Sequence, residues 1–272
     1  MKRKSFLVYK ILMACFLLMT FISACEKDDT SDDENDNGQN GHTVVYGSVT
    51  DIDGNKYETV MIDGTEWMAE NLKVSHYSNG DPVALVLNDS AWENTTEGAA
   101  AVYPHHEFQG LESASDVTEA YGKLYNWAAA TDTRNICPDG WHVPSEVEWT
   151  QMSDYFKNQV AEVTSGNLGN KLKSCRQDDS PLGGHCDTKE HPRWNGHGSE
   201  YGTDDFGFAA LPGGVRDEEG AFAALGLNAS WWTSTGAGSD GAFVRLINFD
   251  SGNFHEGVAL TQYGLSIRCV KN

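Results

Sequence analysis

Hydrophobic and polar positions follow three different rhythms along this chain. Residues 6–22 form a near-continuous apolar run, interrupted mainly at Tyr9-Lys10. Trp149, Met152, Phe156 and Val160 recur at the spacing of one helical face, and such a stripe needs something to bury against. The helix it predicts has a marked start. Asp139-Gly140 reads as a turn, Trp141 and Val143 follow it, and Pro144 stops the extended piece. Ser145 with Glu148 three residues later then reads as a capping box. Cys137 stands at the front of this unit, which describes a capped, tryptophan-pinned core helix rather than a catalytic element.

The third rhythm has a period of two. Residues 44–49, 56–62 and 65–68 read as three short strands, separated by turns at Asp51-Ile-Asp-Gly54 and Asp63-Gly64. Asp51-x-Asp-Gly lacks the further ligands and terminal Glu of a calcium loop, so a plain turn is expected. Residues 88–118 show little periodicity and predict a long excursion over the surface, with His105-His106 as exposed loop histidines. Leu124, Trp127 and Ala128 fit a helical face, although residues 123–125 also suit a strand entering it. Residues 164–205 are loop-rich and punctuated by glycine, and they carry Trp194, His197, Tyr201, Asp204 and Asp205. Sheet-like segments follow at 206–212, 213–216, 230–235, 242–249 and 258–260. Leu265, Ile267 and Cys269 alternate with Ser266 and Arg268, which predicts a half-buried closing strand.

The first apolar run is not part of the fold. Lys2, Arg3 and Lys4 precede it and Ile22-Ser23-Ala24-Cys25 closes it, so residues 1–24 read as a secretory signal peptide. Small residues directly before a cysteine resemble the bacterial lipobox, which implies cleavage before Cys25, its diacylation, and attachment to a membrane through that lipid. Residues 25–42 are acidic and nearly free of aromatic or aliphatic bulk, so they form a disordered tether ahead of one domain at 43–272. Lys27-Asp28-Asp29 resembles the export tag by which Bacteroidota move lipoproteins to the outer face of the outer membrane. Asp89-Ser90-Ala91 matches their short O-glycosylation pattern.

Charge and cysteine count narrow the picture. The formal charge is −21, and loss of Lys2, Arg3, Lys4 and Lys10 with the signal removes four positive charges and leaves −25. That excludes nucleic acid as a partner and disfavours anionic membrane surfaces. Of six cysteines, Cys15 leaves with the signal and Cys25 takes the lipid. Cys137, Cys175, Cys186 and Cys269 remain as an even set in an oxidising compartment. Three connectivities exist for four cysteines. Cys175 and Cys186 are close enough to clip a local loop, which leaves Cys137 for Cys269. Zinc is the rival reading, but no two are spaced as a zinc-binding pair.

Seven motifs then point one way. They are Asp51-Ile-Asp-Gly-Asn-Lys-Tyr57, Trp67-Met-Ala-Glu-Asn-Leu72, Tyr121-Gly-Lys-Leu-Tyr-Asn-Trp127, the 137–149 unit, Gly207-Phe-x-Ala-Leu-Pro-Gly-Gly214, Trp231-Trp-Thr-Ser-Thr235 and Tyr263-Gly-x-Ser-Ile-Arg-Cys-Val270. Together, and in this order, they resemble the Fibrobacter succinogenes major paralogous domain over residues 43–272. The Val143-Pro-Ser-Glu-x-Glu-Trp149 element is also similar to a helix of formylglycine-generating enzymes. The resemblance implies the C-type-lectin-like fold, an α+β arrangement of two helices packed on small antiparallel sheets with long ligand-presenting loops. Residues 99–108 and the Cys175–Cys186 loop depart from the family pattern.

No activity comes with that resemblance. The sequence offers no nucleophile beside a base at a telling spacing, and its cysteines are committed elsewhere, so an enzyme is not expected. A binding module is expected instead, for a glycan or a surface protein, with no cofactor beyond a structural calcium that this fold often carries. The Glu-Pro-Asn and Trp-Asn-Asp signatures of calcium-dependent lectins are missing, and no metal ligand is named. Aromatic faces and polar rims suit sugar rings, which singles out Trp194, Tyr201, Trp232, Asn248 and Asp250. In the pair Trp231-Trp232 one ring should face the core and the other the opposite side. A diversified adhesin is the competing protein-binding reading.

Overall fold

The first three strands form where alternation placed them, as β1 (Tyr46–Thr50), β2 (Lys56–Ile62) and β3 (Thr65–Met68) in an antiparallel meander. The structure is a computed structural model and describes residues 43–85 and 88–272. The expected signal peptide, Cys25 and the acidic stretch to residue 42 lie outside the described residues. Between β1 and β2 the Asp51 carboxylate accepts hydrogen bonds from the backbone N–H groups of Asp53 and Asn55, both at 2.9 Å, and from the Tyr57 hydroxyl at 2.5 Å. Its oxygens are used by its own turn, so Asp51-x-Asp-Gly is a turn. Asp63 and Gly64 join β2 to β3 with φ of 49° and 75°, the left-handed pair that a two-residue hairpin requires.

The stretch expected to wander over the surface is instead partly core. After β4 (Ala84–Leu85), residues 88–118 contain α1 (Asp89–Glu93), β5 (Ala99–Ala101) and the start of α2 (Ala114–Tyr121), and β6 (Leu124–Tyr125) and α3 (Trp127–Ala130) follow in the segment expected to be core. Strands β4, β5 and β6 make a small sheet of their own. Trp92, Ala99 and Ala100 have no exposed surface. The Arg216 guanidinium lies 4.6 Å from the Trp92 ring and pairs with Asp89 at 3.1 Å. Three alanines in a strand give no hydrophobic period to read, and their smallness is what allows close packing. His105 and His106 sit in a short 3-10 turn and Ser90 is exposed.

The central unit folds as its sequence dictates. After β7 (Trp141–His142), the Ser145 hydroxyl accepts from the Glu148 N–H at 3.3 Å and the Glu148 carboxylate accepts from the Ser145 N–H at 2.7 Å, starting α4 (Glu146–Gln159). Trp149, Met152 and Phe156 are buried, and Val160 ends the helix, half-buried. The Trp149 ring meets Trp67 at 4.8 Å and Trp231 at 5.9 Å, so one side chain touches both sheets. α5 (Leu168–Leu172) follows. The loop after it carries the Cys175–Cys186 disulfide, and Cys137 pairs with Cys269. Both expected bridges are formed.

The remaining strands are β8 (Gly213–Arg216) with β9 (Phe222–Leu225), the sheet β10 (Asn228–Gly236), β11 (Gly241–Asn248) and β12 (His255–Leu260), and a final β13 (Val270–Lys271). β13 inserts between β3 and β7, giving the order β1-β2-β3-β13-β7. Residues 206–212 are not a strand. Phe206 and Phe208 are buried, but Gly207 and Ala209 have φ of 67° and 49°, and left-handed backbone breaks an extended run. The architecture is α+β, with small sheets and, among the described residues, only α2 and α4 longer than five residues.

The closing segment is buried on both faces rather than half-buried. Ser266 and Arg268 are as enclosed as Leu265 and Ile267, because the segment bridges Tyr125 on one side and Trp231 on the other. Arg268 donates to the carbonyls of Phe208 and, at 2.8 Å, of Ala209, and stacks 4.3 Å from the Phe208 ring. Its Nε donates to Asn71 Oδ1 at 3.1 Å. Burial pulls Arg268 down to about 9, opposed by the carboxylates of Asp204 and Glu70. Asn71 is the hub of this interior: its Oδ1 also accepts from Trp231 Nε1 at 2.9 Å, and its Nδ2 donates to the Tyr121 carbonyl at 3.0 Å.

Candidate functional site

Strand β10 determines what can face a ligand. Its alternation is as expected, with Trp231 on the α4 side beside Trp149 and Trp232 on the other side among Tyr125, Val244 and Leu265. Both sides are interior, however, and neither ring has exposed surface. Trp232 Nε1 donates to the Tyr125 carbonyl at 2.6 Å, and Trp194 Nε1 donates to the Ala210 carbonyl at 2.9 Å with its ring 1% exposed. The expectation that Trp194 and Trp232 offer stacking faces is therefore corrected. They are pins, because a loop-rich domain needs large aromatic groups to hold segments that sheet pairing does not reach.

The face of β10 that buries Trp232 opens further along into a groove of about 550 Å³. Ser230 and Asn228 lie two and four residues back from Trp232 on the same face, and β11 brings Val244, Leu246 and Asn248 opposite Trp232, Ser230 and Asn228 in register. Val215, Ala224 and Leu227 from the β8–β9 hairpin and the turn after it, with Tyr263, complete the walls. Gly257 of β12 keeps the floor low: a Cβ there would sit 3.3 Å from Leu246 and 3.4 Å from Val244. The floor is apolar and the polar groups gather at one end. Asn228 Nδ2 donates to Asn248 Oδ1 at 2.7 Å, and the Ser230 hydroxyl donates to Asn228 Oδ1. Asn248 keeps its own N–H groups, and Asp250 is exposed at the rim. At the other end a hydrogen bond to Glu218 holds the Tyr263 phenol above its usual range.

Two of the five sequence-selected residues, Asn248 and Asp250, thus line one groove. Tyr201 is half-buried in the neighbouring loop and does not line it. A residue without any sequence signal joins these segments. Lys173, at the end of α5, is fully buried. Its Nζ donates to the carbonyls of Ser251 at 2.9 Å, Phe249 at 3.2 Å and Glu200 at 3.3 Å, and to Asn170 Oδ1 at 3.1 Å. The Trp194 ring lies 5.3 Å away. Burial pulls Lys173 down to about 8, with the Glu200 and Asp250 carboxylates opposing the fall.

A larger cleft of about 730 Å³ runs between α4 and the five-stranded sheet. Three of its polar groups bond to one another, His142 contacting Glu148 at 2.8 Å and Asn272 at 2.5 Å, and Glu148 also completes the helix cap. The cluster Cys175, His185 and Cys186 has ligand-type side chains within 4.8 Å of one another, but both sulfurs are joined in a disulfide. Thiolates are what a zinc ion would bind.

A family model described as the Fibrobacter succinogenes major domain matches residues 60–271. No curated protein and no solved structure matches the chain. The matched span begins inside β2 and ends in β13. Within it, the motif residues Trp67, Asn71, Tyr121, Trp141, Trp149, Trp231, Trp232 and Arg268 are all buried.

Proposed function

This chain belongs to the Fibrobacter succinogenes major domain family, and from that premise we propose that it is a non-catalytic binding module whose groove on the β10–β11–β12 sheet holds a glycan. One observation carries the reading. Asn228, Ser230, Asn248 and Asp250 cluster at one end of an otherwise apolar trough. Sugar rings have apolar faces and hydroxyl rims, and such a trough meets both. The motif residues are occupied in holding the fold, so the ligand falls to side chains outside most of those motifs.

The lining also speaks to chemistry. It holds one carboxylate, Asp250, and no histidine, cysteine or lysine, whereas glycoside hydrolysis uses a pair of carboxylates and acyl transfer a nucleophile with a base. The arrangement of loops and small sheets around two helices agrees with the C-type-lectin-like organisation implied by the sequence. We place the domain outside the cell, anchored to the outer membrane by lipid at Cys25, as the lipobox and acidic export tag imply.

A glycan array probed with the purified mature protein tests the reading. We expect retention of a polysaccharide that is recovered unchanged. Asn248→Ala and Asp250→Ala should each weaken that binding about tenfold, the effect of losing one or two hydrogen bonds, while lowering the melting temperature by no more than about 2–4 °C. Trp232→Ala should instead unfold the domain at moderate temperature, since it empties a core site. Binding indifferent to both groove variants, or release of new reducing ends, would contradict the proposal. Empty arrays with capture of a surface protein would move the ligand class to protein.

A further inference from the structure

Lys173 is the least expected group in the interior. A fully buried ammonium is costly unless its hydrogen bonds are met, and here four oxygens converge on an ion that has three N–H donors. Three are backbone carbonyls from two separate loops, and the fourth is an amide oxygen from α5. The Trp194 ring covers a further side. Carbonyl, amide and nearby carboxylate oxygens drawn from several segments are the donor set of a hard metal cation. In this chain the cation is covalently attached.

Two of the carbonyls, Phe249 and Ser251, flank Asp250, and Asn248 stands one residue before them. The same loop is packed closely: a Cβ on Gly252 would approach Glu200 Oε2 to 2.9 Å and Asn170 Nδ2 to 3.0 Å. Asn170 Nδ2 in turn donates to Glu200 Oε2 at 3.0 Å. With no cation at the centre, carbonyl dipoles from both loops would point at each other with nothing to accept from. The rim that carries Asn248 and Asp250 would lose its reason to curl.

We infer that Lys173 is a positioning residue: its ammonium is the built-in cation around which the groove rim folds, so that the site forms and binds without a metal ion. The rim's geometry follows from the ammonium alone. Only the consequence for ligand binding rests on the groove being the glycan site.

Hydrogen exchange of the whole mature protein tests this without a known ligand. In the wild type, exchange across residues 248–253 and the melting temperature should be the same in calcium chloride and in EDTA. Lys173→Met keeps bulk and removes charge, and exchange there and around Glu200 should rise about tenfold or more while α4 stays protected. Lys173→Ala removes the equivalent of propylammonium, so propylammonium chloride should slow rim exchange again and tetramethylammonium chloride should not. Calcium protection of the wild-type rim, an unchanged rim in Lys173→Met, or equal effects of the two amines would each overturn the inference. If the Lys173 variants fail to fold, recovery of the Lys173→Ala fold in propylammonium chloride and not in tetramethylammonium chloride supports the inference, and recovery in neither or in both overturns it. An empty glycan array with these results intact would remove the glycan reading and leave the role of Lys173 standing.

Discussion

Replacing Cys137 and Cys269 together by alanine lowers the stability of the domain by about 5 kcal/mol in the chain-entropy account. The bridge closes a separation of 132 residues and ties the front of the α4 unit to the last strand. Cutting it frees the unfolded chain far more than cutting the Cys175–Cys186 bridge, whose separation is 11 and whose loss should cost about 3 kcal/mol. Both Cys137 and Cys269 are also buried among Tyr57, Met68 and Ile267, so the cavity left by two sulfurs adds to the loss. Urea unfolding of the two double variants measures the difference. Equal losses would mean that the unfolded chain is already constrained between residues 137 and 269.

Asn71→Ala should be nearly as damaging. The change strands the Trp231 indole N–H, the Arg268 Nε–H and the Tyr121 carbonyl in a fully buried site. Each orphaned neutral group costs about 1–3 kcal/mol and a charged one more, so the sum is about 4–6 kcal/mol. That is a large part of the total stability of an ordinary domain. Asn71→Asp keeps the acceptor for Trp231 and Arg268 and loses only the donor to Tyr121, so it should retain most of the stability. Urea midpoints order the three proteins, and an Asp variant as unstable as the Ala variant would show that the hub is not the acceptor described.

How much of this was legible in the sequence depends on how each residue is held. Ser145 and Glu148 act within four residues, so the capping box and its helix were readable from spacing. Residues 56–62 were readable too from their apolar spacing, although Tyr57 joins one core cluster and Val60 and Ile62 the other. Trp232 was misplaced because alternation says which residues share a face and not whether that face is open; the packing of β10 between two core clusters decides that. Residues 99–101 were hidden by being three alanines. Lys173 left no signal at all, since its partners Glu200, Phe249 and Ser251 lie 27 to 78 residues away and act through backbone carbonyls, which every residue possesses. Asn248 and Asp250 were found because polar residues at a strand end and its turn face outward by default.

The proposed division is between motif residues buried in the core and a groove lined mostly by side chains outside those motifs. Amide chemical-shift mapping tests it most directly, with the best array polysaccharide titrated into the lipid-free mature protein. The account predicts shifts concentrated at Asn228, Ser230, Leu246, Asn248, Asp250 and Tyr263, with the cleft between α4 and the five-stranded sheet silent. Shifts centred instead on Glu148, Gln151, Tyr155 and Asn158 would place the ligand in that cleft and contradict it.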